Sequence, residues 1–306
     1  MIDKTNSAIP NPWLCRFAIF LAVATLLLLL SGAYITSSEE QAASTDPSVL
    51  AGSGQVTALQ AILTVRNHAL LASFVGTLTI VLVIWLMLVE TKWPLRFLGG
   101  SAIAIFALNG WVGTHGLPPL SPAIGVSHAI LAHLFFSAIV IIAVLTSPGW
   151  TRGPEPVDDL GHTSLRGMAL ATPFVVLLQI TLGASYRHNV TGVLPHMGGA
   201  LVATILALIV CLIVTQDFAD NRSMHSAAVA LLSIILTQIT LGIVTFTMKL
   251  LNFEDTVAFL FSSMLHVMVG SLTLAATVVM AAQVLRNLRK SEKSLDPIAA
   301  EVPLKE

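Results

Sequence analysis

Eight apolar runs separated by short polar connections dominate the chain. A hydrocarbon layer about 30 Å thick needs about 20 apolar residues in a helix. That criterion selects residues 14–35, 69–89, 95–113, 126–145, 168–185, 197–214, 227–247 and 257–285, the last with a helical extension beyond the membrane. Composition agrees: 55% of the 306 residues are hydrophobic and only 10% are Asp, Glu, Lys or Arg, whereas a soluble domain carries about 25% charge. These values exclude a soluble enzyme, a disordered chain and a nucleic-acid binder. The run at 17–30 has the length of a signal-peptide core, but no clean Ala-x-Ala site follows it and seven similar runs do. It is read as the first span. The fold class expected is an all-α membrane protein in the lipid bilayer.

Charge sets the expected orientation. With the N-terminus taken as cytoplasmic, twelve of the 15 Lys and Arg residues fall on the inner side, and only Arg66, Arg187 and Lys249 on the outer. This positive-inside bias places both termini in the cytoplasm and the chain in the inner cell membrane. Cys15 and Cys211 form no CxxC or CxxCH motif, which excludes a covalently attached c-type haem and a cysteine-based cluster.

The spans repeat. The fifth carries Gln179-Ile180-Thr181-Leu182-Gly183 and the seventh Gln238-Ile239-Thr240-Leu241-Gly242. The first ends in Ser31-Gly32 and the third in Gly110-Trp111-Val112-Gly113. Glycine there permits close helix packing in lipid, although packing does not explain the shared pentapeptide. Even-numbered spans carry histidines: His68, His128 or His133, His196 and His266. A small residue follows each by four (Ala72, Ala132 or Ser137, Ala200, Gly270), one turn away on the same face. His68 to His196 is 128 residues and His133 to His266 is 133. The expected architecture is therefore two duplicated four-helix bundles, residues 1–150 and 151–306.

Ionisable residues at membrane depth mark function. One histidine per even span, at one level, allows two bis-imidazole sites: His68 with His133, and His196 with His266. Iron porphyrin is the group that takes two neutral imidazoles in an apolar slot. Zinc fits less well, because no carboxylate or thiolate accompanies the pairs. His128 and His133 project about 140° apart on one helix, so they cannot serve one face. His133 is preferred and His128 remains its rival. His115, His162, His188 and His225 carry weaker signals.

These features together resemble the heme A synthase family of cytochrome oxidase assembly proteins. The likeness runs from about Leu26 to Leu288. Its specific elements are Leu182-Gly183-Ala184-Ser185-Tyr186-Arg187-His188, close to that family's Gly-Ala-x-Val-Arg motif, and Leu131-Ala132-His133-Leu134. The resemblance implies an N-terminal half that binds haem O as substrate, with His68 and His133 flanking it. It implies a C-terminal half that holds haem b through His196 and His266. The implied reaction oxidises the C8 methyl of haem O to the formyl of haem A. Arg187 would pair with haem propionates or anchor a helix end. Implied partners are a haem O synthase and an electron donor; self-association stays open. The chain departs from the family where a glutamate is typical three residues before the first histidine, since Val65 stands there. The loop at 36–67 lacks the family's cysteine pair, and its carboxylates Glu39, Glu40 and Asp46 read as solvated charge. No catalytic residue is assigned. A diheme b-type electron-transfer protein on the same scaffold is the second reading, and a transporter or assembly chaperone the third.

Overall fold

The computed structural model describes residues 11–44, 64–115, 121–159 and 165–289. Eight long helices account for most of them. They are α1 (Pro12–Ser44), α2 (Val65–Val89), α3 (Trp93–His115), α4 (Pro122–Leu145), α5 (Leu165–Arg187), α6 (Val193–Asp217), α7 (Arg222–Leu250) and α8 (Val257–Asn287). All eight are long and apolar enough to cross a membrane, so the all-α membrane fold is as expected. Each observed helix is longer than its apolar run at one end or both. Three of the helices carry a side-chain cap at their N-terminus. Thr64, Asn221 and Thr256 accept from backbone N–H groups of the first turns of α2, α7 and α8, satisfying donors that have no partner within the helix.

Two turns close alike. After α5, Asn189 takes φ +57° and the N–H of Val190 reaches the carbonyl of Ser185 at 2.8 Å. After α7, Asn252 takes φ +57° and the N–H of Phe253 reaches Met248 at 2.9 Å. Both are left-handed helix terminators of the Schellman kind, for which asparagine is the usual substitute for glycine.

Packing divides the helices into two rings of four. In the first, α1 packs on α2 and α4, and α3 bridges α2 and α4. In the second, α5 packs on α6 and α8, and α7 bridges α6 and α8. The rings meet through α1 against α8, α4 against α5, and α4 against α8. First and last helices of each ring thus exchange partners, the pattern of two like bundles related by a pseudo-two-fold. Leu21, Val75, Leu82 and Ile142 fill the first bundle; Leu165, Val210, Met224 and Val284 fill the second. Leu29, Phe136 and Ala275 form an apolar cluster where the two join. Away from these cores large apolar side chains face outward, Leu88 and Leu194 among them. In water they would be a liability; in lipid they are the expected surface.

Opposite the histidine end, the connection between bundles is pinned to the end of α8. A single helical turn, Pro148–Thr151, leads to strand β1 (Val157–Asp158), which pairs in parallel with β2 (Leu288–Arg289). Buried Asn287 accepts from the N–H of Glu155 at 2.8 Å and donates to Ser223 at 3.1 Å and to the Gln283 carbonyl at 2.9 Å. Asn221 donates to the Glu155 carbonyl at 2.7 Å. The polar stretch between the bundles is therefore tied down by two asparagines.

Candidate functional site: histidines seated on glycines

The four even helices begin at the same end of the bundle, and each brings a histidine against a glycine of the helix before it. A Cβ on Gly32 of α1 would lie 3.2 Å from Cε1 of His68 on α2. The same test gives 2.9 Å for Gly113 of α3 and His128 of α4, 2.8 Å for Gly183 of α5 and His196 of α6, and 2.9 Å for Gly242 of α7 and His266 of α8. The fourfold recurrence explains the glycines that end the odd spans. They leave room for an imidazole crossing from the next helix, beyond letting backbones approach.

A polar group on the odd helix accompanies each pair. Asn109, Gln179 and Gln238 each stand four residues before their glycine, one turn away on the same face. At Asn109 the contact is made by the main chain: its backbone carbonyl lies 3.2 Å from Nδ1 of His128. The amide of Gln179 lies 2.9 Å from Nδ1 of His196 and 2.9 Å from that residue's carbonyl. The amide of Gln238 stands 3.4 Å from Nε2 of His266. In α1 the partner is instead Ser31, beside Gly32, whose hydroxyl donates to the Leu28 carbonyl at 2.8 Å and lies 2.7 Å from Nδ1 of His68. The repeated pentapeptide is thus a seat for histidine: its glutamine holds the ring and its glycine makes room for it. Gln179 and Gln238 in turn rest over Gly199 and Gly270, so each helix pair interlocks in both directions.

Tautomers follow from these partners by assignment. With Ser31 spending its proton on Leu28, Nδ1 of His68 is the donor. His128 likewise donates from Nδ1 to a carbonyl. Both then present a bare Nε2, the arrangement found where a second bond orients a metal-binding imidazole.

One pair of rings meets directly, His196 and His266. His68 and His128 lie within electrostatic reach of each other. His196 and His266 face one another with ring centres 6.3 Å apart and planes at 89°. Nδ1 of His266 and the side-chain oxygens of Asn109, Gln179 and Gln238 are buried with no hydrogen-bond partner among the described residues.

His133 takes no part in this pattern: on α4 it is His128, its rival in the sequence, that lies against the glycine of the preceding helix. His133 is 5% exposed, with Nδ1 2.6 Å from the Ala129 carbonyl of its own helix. Five residues of helix turn the side chain through about 140°. His128 therefore meets α3, and His133 does not.

Arg187 ends α5 and donates to the Ala33 carbonyl at 2.7 Å and to the hydroxyl of Ser37, both on α1. It also lies within electrostatic reach of His266. The residue therefore ties the two bundles together beside one histidine pair. His188, a weak signal in the sequence, packs its ring onto Gly125 of α4. Val65, in the first turn of α2, is 58% exposed. Asp46 and His162 lie outside the described residues, as do the side chains of Glu39, Glu40 and His115. Among the described residues no group of three or more His, Cys, Asp or Glu side chains could hold a metal ion.

Sequence reasoning found three of the four seated histidines, and missed the seats. The signal that could have found them is a polar residue four before a glycine at the end of an odd span, shared by three of the four. Fold and site define a membrane protein of two four-helix bundles, each enclosing a pair of imidazoles near one end. No protein-family model matches the chain, and no curated protein matches it in sequence.

Proposed function

We propose that this protein binds one haem between each pair of seated histidines and acts as a haem-modifying membrane oxidoreductase of the heme A synthase type. The observation that carries the reading is the His196–His266 pair, with ring centres 6.3 Å apart. His196 and His266 are the residues that would hold the iron of such a group in the second bundle. Support also comes from the glycine seats and the Nδ1 partners of His68 and His128. Two nitrogen ligands in an apolar bundle suit iron porphyrin better than zinc, which takes three or four protein ligands.

On this reading His196 and His266 would hold haem b, and His68 and His128 would flank haem O as substrate; converting its C8 methyl to the formyl of haem A adds one oxygen atom from water and releases four protons and four electrons, which an external electron acceptor would take up. Haem b supplies one-electron chemistry at a potential set by its ligands, burial and hydrogen bonds. Gln179 and Gln238 orient the rings on one side, Ser31 and the Asn109 carbonyl on the other. Arg187 places a positive charge near His266 and suits a carboxylate there. The positive-inside bias supports an inner-membrane protein with both termini cytoplasmic and the haems toward the outer leaflet.

A second reading, a diheme b-type electron carrier, is favoured by Val65. An exposed valine stands where the resemblance calls for glutamate, and no proton acceptor is assigned. Extracting the pigment of the purified protein separates the readings. Haem O or haem A beside haem B is the expected result. Haem B alone would replace the enzyme by the electron carrier, and a colourless protein would overturn both.

A further inference from the structure

At the end of the bundle away from the histidines, a polar cavity and an apolar groove meet at one residue. The cavity, about 210 Å³, is lined by Arg152, Arg222 and Arg286 with Ser223 and Ser226, and Glu155 is its one carboxylate. Arg286 is fixed in place: it donates to the carbonyl of Trp150 and lies 4.1 Å over that residue's ring. Arg222 opens α7, where the helix dipole adds positive potential. The groove, about 380 Å³, runs between α1, α4 and α8 and is walled by Ile19, Val23, Leu26, Phe136, Val140 and Leu272. Ser147 lines both. From Ser147 to Phe136 is eleven residues, about 16 Å along α4.

An anionic chamber-filler with an apolar tail is the ligand that uses both spaces. We infer that this protein holds an anionic glycerophospholipid, its phosphate among Arg152, Arg222 and Arg286 and an acyl chain in the groove beside Val23 and Val140. Guanidinium pairs with phosphate oxygens bidentately, and basic pockets between membrane helices select anionic headgroups. The three arginines outnumber the single carboxylate, so a zwitterionic headgroup, whose amine would face the same positive field, is disfavoured. The groove joins α1 and α4 of one bundle to α8 of the other, so the lipid acts as a third element of the inter-bundle contact.

The test uses the full-length protein, purified in detergent and examined by native mass spectrometry after exchange into nanodiscs of phosphatidylglycerol and phosphatidylcholine. The protein should retain phosphatidylglycerol through delipidation. The double variant Arg152→Gln/Arg222→Gln should retain about 10- to 30-fold less, taking roughly fivefold per basic residue near an anionic lipid. Arg152→Lys/Arg222→Lys should recover most of the loss. Val23→Phe, which fills the groove from an exposed position, should also lower retention while leaving the arginines intact. Equal retention of the two lipids, or no change in the Gln double variant, overturns the inference. Saturation by inorganic phosphate alone, with Val23→Phe unaffected, overturns it in favour of a free-anion site. Thermal unfolding in neutral nanodiscs checks that each variant is folded.

Discussion

Gly183 and His196 are built for each other across α5 and α6: a methyl group on the glycine would come within 2.8 Å of the imidazole Cε1. Gly183→Ala and Gly242→Ala should therefore displace the rings of His196 and His266, though alanine is the better helix former by about 1 kcal/mol. We expect the low-spin haem spectrum to be lost or shifted in both. Gly110→Ala and Gly198→Ala, where a Cβ meets nothing within 4 Å, should leave it unchanged. Optical spectra of the four variants check the contrast, and identical behaviour in all four would remove the glycines from the site.

The two histidines of α4 should separate cleanly. His128→Ala should empty the haem site of the first bundle, read as haem per protein in a pyridine haemochrome assay. His133→Ala should keep its haem and lose about 1–3 kcal/mol of stability. The cost arises because a buried ring that bonds the Ala129 carbonyl is removed. Haem loss in the second variant instead of the first would restore the pairing read from the sequence.

Gln179 is expected to tune the haem proposed for the second bundle without being needed to bind it. Gln179→Leu removes the 2.9 Å contact to Nδ1 of His196 and leaves Gly183 in place. Bonds to the far nitrogen of a ligating imidazole raise or lower its basicity. Redox titration should find a shifted midpoint potential with haem content retained. An unchanged potential would reduce the glutamine to packing.

Arg187 offers a test of architecture. Its bonds to the Ala33 carbonyl and Ser37 join α5 to α1, and hydrogen bonds to a charged group contribute about 1.5–3 kcal/mol. Arg187→Gln should lower the unfolding midpoint of both bundles together. If it lowered haem content with no change in stability, propionate binding would be its main role.

Asn287→Ala should loosen the opposite end. The side chain connects Glu155, Ser223 and Gln283, and its removal deletes these hydrogen bonds, each contributing about 0.5–1.5 kcal/mol. Limited proteolysis in the 148–165 connection should then quicken, with the haem spectra unaltered.

The sequence by itself determined the membrane class, the eight helices, their division into two bundles, and the end at which the histidines gather. Those properties are local or additive: hydropathy needs only about 20 residues at a time, and antiparallel spans bring every even helix's start to one end. Tertiary structure alone seated His128 rather than His133 against a glycine, gave Gln179 and Gln238 their partners, and turned Arg187 toward α1. Each of these depends on which face of a helix meets which neighbour. A rotation of 100° per residue makes that choice invisible until the helices are packed. The glycines show the same limit, for their meaning lies in a ring that arrives from another helix.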